Sequence, residues 1–200
     1  MPALSEDTKL DILNDHYKDT FAHLQEFRKR REQLLLLILV VATIMLFQIF
    51  SPRDAEDAIG QFIAKGLDLQ SPVDISFVGS VVWFSWLCII IRYFQTAVHI
   101  ERQYDYIHGL EKQLSQLYEG KAFTREGQFY LTKYPLFSNW AHILYTIVFP
   151  AVLTIAMIGK IANEIHLATH LSALLVFNMS ISLCILVSIV LYMAMVHFKR

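Results

Sequence analysis

Eight histidines, two cysteines and one oddly placed glutamate are the residues of this 200-residue chain with the most chemistry to offer. His99, His142 and His197 each fall near the same end of a different apolar stretch, as ligands of a metal or haem would. Such sites draw further donors from Cys, His or carboxylates at regular spacing, and none joins these three. They read instead as interfacial histidines. His166 and His170 are an i, i+4 pair on one helical face, but a zinc site needs a third ligand. Cys88 and Cys184 both sit in oily sequence and read as small packing residues rather than a disulfide, a metal pair or a redox couple. No glycine-rich phosphate loop, nucleophile elbow or kinase motif set is present. The residue types therefore predict no metal, no cofactor and no enzyme.

The elements that would position these residues are set by apolar content. Of all residues 55% are hydrophobic and only 18% charged, against about a quarter charged in an ordinary soluble domain. The excess gathers into four blocks, 34–50, 75–91, 140–158 and 171–196, each almost free of charge. About 20 apolar residues of helix cross a hydrocarbon layer of ~30 Å. A chain this short has nothing with which to bury four such helices in water, so the lipid bilayer is their expected partner. The fold class that follows is all-α: a polytopic membrane protein with four transmembrane helices and cytoplasmic helical extensions. The first block follows some thirty residues of charged sequence and precedes no small-residue cleavage site, so it is not read as a signal peptide.

Lysine and arginine counts orient the spans. Fourteen lie before the first block, between the second and third, or after the fourth, against only Arg53, Lys65 and Lys160 in the remaining loops. The positive-inside rule then predicts an inner-membrane protein with both termini and the 92–139 segment cytoplasmic. In boundaries this gives a cytoplasmic amphipathic helix and basic anchor at 1–33 and the first span at 34–50. An outer loop with its own amphipathic helix covers 51–74, and the second span 75–98. A cytoplasmic helix and elbow take 99–139, the third span 140–158, a short outer loop 159–170, the fourth span 171–196 and a tail 197–200. In the outer loop, Ser51-Pro52 starts a helix, acids fill its first turn and Gly66 stops it. Ile59, Phe62 and Ile63 share a face expected to lie on the membrane surface or cap the bundle.

The cytoplasmic parts carry the clearest pattern. Leu10, Leu13, Tyr17, Phe21, Leu24 and Phe27 recur at three- and four-residue steps and predict an amphipathic helix running into the first span. The basic run Arg28, Lys29, Arg30 and Arg31 reads as a membrane-edge anchor facing lipid phosphates, joined by Arg92 and the interfacial Trp140. No second basic patch with interleaved aromatics accompanies it, so no direct nucleic-acid binding is expected. After the second span, Ile100, Tyr104, Ile107, Leu110, Leu114, Leu117 and Tyr118 form a stripe about 140° wide at ~100° per residue. Glu111 falls inside that stripe, where a carboxylate is costly unless paired. Two readings stand for it: a side chain snorkelling at the helix edge, or a buried pair with Arg or Lys from the N-terminal helix or another subunit. Polar positions inside helical seams set partner number, so Ile100, Tyr104, Ile107, Glu111, Leu114 and Tyr118 are the expected interface of a homo-oligomer or partner. The competing arrangement is two stripes facing each other within one subunit. The segment "FTREGQFYLTKYPLFSNW", 123–140, is an elbow that turns the chain back into the membrane, with Pro135 ending a short helix and Ser138 or Asn139 capping the third span.

Arg102 and His108 in "RQYDYIH" resemble the R-x4–6-H signature of HEPN ribonucleases, which implies a membrane-tethered ribonuclease. On one straight helix, however, the two side chains point about 120° apart. The stretches "HIERQYDYIHGLE" and "FTREGQFYLTKYPLFSNW", with the four-span layout, are similar to small membrane proteins of bacterial phage-defence systems, most of all the membrane component of the Kiwa system. That resemblance implies a sensor or scaffold working with a soluble cytoplasmic partner that binds DNA. The expected function is therefore a non-enzymatic inner-membrane sensor or scaffold in antiviral defence. The alternative is a pore-forming effector that depolarises the membrane, with Asn178 and the serines of the fourth span lining the path.

Overall fold

A computed structural model of the chain describes residues 5–67, 75–117, 140, 143–168 and 170–198. Every element among them is helical. Helix α1 runs unbroken over Glu6–Phe50, α2 over Pro52–Leu67 and α3 over Ile75–Leu117. A π-helical turn at Leu144–Val148 leads into α4, Phe149–Leu167, and α5 covers Ala173–Phe198. Four of these helices, α1, α3, α4 with its π turn, and α5, are long and apolar enough to cross a membrane. The chain divides into two compact units, Met1–Gln33 with Gln95–His142, and Leu34–Phe94 with Ile143–Arg200.

Local chemistry explains where the helices begin and bend. Ser5 caps α1: its Oγ accepts the Thr8 N–H at 3.2 Å, and Glu6 and Asp7 occupy the first turn, where the helix dipole favours acids. Pro52 opens α2 at the first helical position, which needs no N–H donor. Ser172 caps α5 through the Leu175 N–H at 3.1 Å. The π turn precedes Pro150, whose ring has no N–H and crowds the carbonyl four residues back. The helix answers by widening: Phe149 N–H reaches back to Leu144 O, five residues away, and the chain continues without a break.

The unit built from the apolar segments packs an aromatic core. Trp83, Trp86, Ile90 and Tyr93 of α3 are buried, as are Leu153 and Met157 of α4 and Ile181, Ile185 and Ile189 of α5. The α5 residues recur every four positions, so one face turns inward while Leu183, Val187, Val190 and Leu191 are exposed. An exposed apolar face carries no penalty against lipid tails. Trp86 donates its indole N–H to Ile38 O of α1 at 3.3 Å, Tyr93 meets Phe149 edge-on at 5.3 Å, and Phe94 stacks on Tyr192 at 4.4 Å.

One element runs further than its sequence predicts. Helix α4 continues to Leu167, whereas 159–170 was expected as a short outer loop. The charges that marked a loop there pair with each other along the helix, Lys160 with Glu164 at 3.0 Å, so they do not end it. In α2, Phe62 is 80% exposed and Ile59 half-buried, which fits the membrane-surface alternative rather than the cap, while the Ile63 side chain lies outside the described residues. The elbow at 123–139 also lies outside them.

Candidate functional site

In the other unit, the N-terminal half of α1 packs on the C-terminal half of α3. Leu24, Ile100 and Ile107 are buried together, and Tyr17, Phe21, Phe27 and Tyr104 pack around them. The spacing of Tyr17, Phe21, Leu24 and Phe27 keeps one face of α1 turned to the spaced isoleucines of α3. Leu110 and Leu114 extend the same buried strip. His16 Nε2 and the Tyr106 hydroxyl share a hydrogen bond of 2.6 Å, and the Phe27 ring meets the His99 imidazole at 4.2 Å, so ring contacts line the seam.

Glu111 is inside this seam, only 4% exposed. The Tyr17 hydroxyl donates to its Oε1 at 3.2 Å. A hydrogen bond to a charged acceptor is worth about 1.5–3 kcal/mol, and leaving the carboxylate unpaired costs more. The sequence-level expectation of a snorkelling side chain is thus replaced by a buried, hydrogen-bonded one whose donor comes from the N-terminal helix. Ile100, Ile107, Glu111 and Leu114 are buried and Tyr104 half-buried within one chain. Around Ile100 and Ile107 the cover comes from α1, the arrangement in which two stripes face each other within one subunit. Tyr118 lies outside the described residues.

The outward side of the same two helices is charged. Asp7, Asp11, Asp15 and Asp19, four residues apart in turn, are all exposed on α1, and Glu101, Arg102, Asp105 and Lys112 are exposed on α3. Of the expected anchor residues, Lys29, Arg30, Arg92 and Trp140 are exposed and Arg28 and Arg31 half-buried. Arg102 is exposed and His108 half-buried near Tyr104, at 6.4 Å between rings. His142 and the side chain of His197 lie outside the described residues. Among those described, no group of three or more His, Cys, Asp or Glu is placed to hold a metal ion.

A second polar cluster, within the apolar unit, escaped sequence reasoning. Glu164 Oε1 accepts from Lys160 Nζ at 3.0 Å and from Asn178 Nδ2 of α5 at 3.1 Å. Lys160 Nζ also lies 5.4 Å from the centre of the Trp83 ring of α3, in cation–π range. A carboxylate accepts only, so the Asn178 amide must present its nitrogen to it, which leaves Asn178 Oδ1 buried with no donor. Trp83 Nε1 is likewise buried with no acceptor. Each such orphan costs about 1–3 kcal/mol. The signal that could have found the pair is the i, i+4 spacing of Lys160 and Glu164, outweighed by the habit of reading charges after an apolar block as loop. Ser180, Ser182 and Ser188 of α5 donate to carbonyls of their own helix, four residues back.

Comparison of the chain with protein-family models, with curated proteins and with solved structures finds no match to any of them.

Proposed function

We propose that the chain is a non-enzymatic inner-membrane scaffold or sensor whose cytoplasmic helices work with a soluble protein partner, in bacterial antiviral defence. The observation that carries this reading is the division of surfaces in the α1–α3 seam. Its apolar stripes cover each other, and what they leave outward is a ridge of four aspartates and a mixed-charge face on α3. Such a surface suits a water-soluble partner with basic patches, since complementary charge steers encounter and sets register. The role in phage defence and a DNA-binding partner are supported by the resemblance of the 99–140 segment and the four-span layout. Self-association, with the Ile100–Tyr118 helix as part of the contact, belongs to the proposal as well.

The test is affinity capture of the full-length protein from its native cells, with neighbouring genes intact and phage added. One soluble protein should be recovered in constant ratio. Replacing Asp7, Asp11, Asp15 and Asp19 by lysine should abolish recovery and phage resistance together while leaving membrane insertion unchanged. A pore-forming effector gives the opposite pattern: membrane depolarisation by the chain expressed alone, insensitive to the aspartate substitutions.

A further inference from the structure

We propose that Lys160, Glu164, Asn178 and Trp83 form a binding site for a zwitterionic phospholipid headgroup bearing a free ammonium. Ionisable groups inside apolar helices are costly and tend to mark sites that bind something. Here the pair is balanced, one cation and one anion, so the cluster favours a ligand without net charge. Asn178 Oδ1 lacks a donor and Trp83 Nε1 lacks an acceptor. Both orphan atoms are covered, so a headgroup meets the reachable pair that this polar cluster holds in place, its ammonium against Glu164 and its phosphate against Lys160.

Position and access point the same way. Glu164 lies three residues before the end of α4 at Leu167, and Asn178 five after the start of α5 at Ala173. At 1.5 Å per residue both are about 5–8 Å from the helix ends, the level where headgroups meet acyl chains. The side chains of Lys160 and Glu164 keep 17% and 16% of their surface exposed, so the pair is reachable while Asn178 and Trp83 are covered. Glu164 Oε1 carries both bonds to Lys160 and Asn178, which leaves Oε2 to accept from the ammonium. Lys160 has N–H groups left for the phosphate. Tryptophan and lysine are also the residues that settle at this depth.

Methylation of the headgroup provides the discriminating chemistry. Phosphatidylcholine has the same charges as phosphatidylethanolamine but no N–H to give, and phosphatidylglycerol has the phosphate without the cation. The purified full-length protein in detergent, titrated with each lipid and read by native mass spectrometry, should bind phosphatidylethanolamine about tenfold more tightly than phosphatidylcholine, the loss expected for one charge-assisted hydrogen bond. Glu164→Gln and Asn178→Leu should erase the preference, whereas Leu183→Val, on the exposed face of α5, should keep it. Equal binding of the three lipids would overturn the site and leave a structural clasp around a buried water. Glycerophosphoethanolamine binding as tightly as the whole lipid would overturn the lipid as its occupant. If the two variants fail to fold, the comparison of lipids on the unaltered chain decides alone.

Discussion

Glu111 shows how a single side chain ties the two long helices together. Its carboxylate is buried in a strip of isoleucine and leucine and takes a proton donor from Tyr17, ninety-four positions earlier in the chain. Removing this one donor, by Tyr17→Phe, strips a charge-assisted hydrogen bond from a buried group and should cost about 1.5–3 kcal/mol. Replacing the carboxylate itself, by Glu111→Leu, removes the need for the bond and should be neutral or stabilising. Hydrogen exchange of the α3 amides around residue 111 measures both. Equal destabilisation by the two substitutions would contradict the account, because the phenylalanine variant alone takes a hydrogen bond from a carboxylate that stays buried. The stripe and the intrusion of Glu111 were legible from residue spacing. The identity of the donor was not, because periodicity says which face is apolar but not which other face covers it. Lys160 and Glu164 were legible as an i, i+4 pair, but not the Asn178 amide and Trp83 ring that other helices bring to them.

At the scale of elements, capping and breaking residues settled most boundaries. Ser5 with Glu6 and Asp7, the Ser51-Pro52 pair and Ser172 are local signals, readable without tertiary context, and the helices start at them. The end of α4 is not of this kind, since it depends on an ion pair and on Asn178 from α5. The π turn before Pro150 is also a compromise between a missing N–H and the burial of Thr146 and Pro150, which composition does not reveal. The continuity of α3 yields its own prediction. Gly109 lies inside this helix, two turns from its end, exposed, and a methyl group added there meets nothing within 4 Å. Glycine costs a helix interior roughly 0.5–1 kcal/mol relative to alanine. Gly109→Ala should therefore stabilise the α1–α3 seam by about that amount, seen as slower hydrogen exchange across residues 100–114. A loss of protection would mean that α3 needs flexibility at this point.

For the whole molecule, the proposed function rests on a proposed topology: four apolar helices crossing a bilayer, with segments 1–33 and 99–139 on the inner side and loop 51–74 on the outer. The uneven placing of lysine and arginine, fourteen on the side proposed as inner against three on the other, motivates it, and the proposed partner, the aspartate ridge and the headgroup site all take their meaning from it. Single cysteines at exposed positions test it most directly, in a chain whose own cysteines have been replaced by Cys88→Ala and Cys184→Ala. Asp57 on α2 and Lys112 on α3 are both exposed. With a membrane-impermeant maleimide added to intact cells, Asp57→Cys should label at once, and Lys112→Cys only after the membrane is permeabilised. Labelling of Lys112→Cys in intact cells, with Asp57→Cys protected, would contradict the arrangement and the cytoplasmic role built on it.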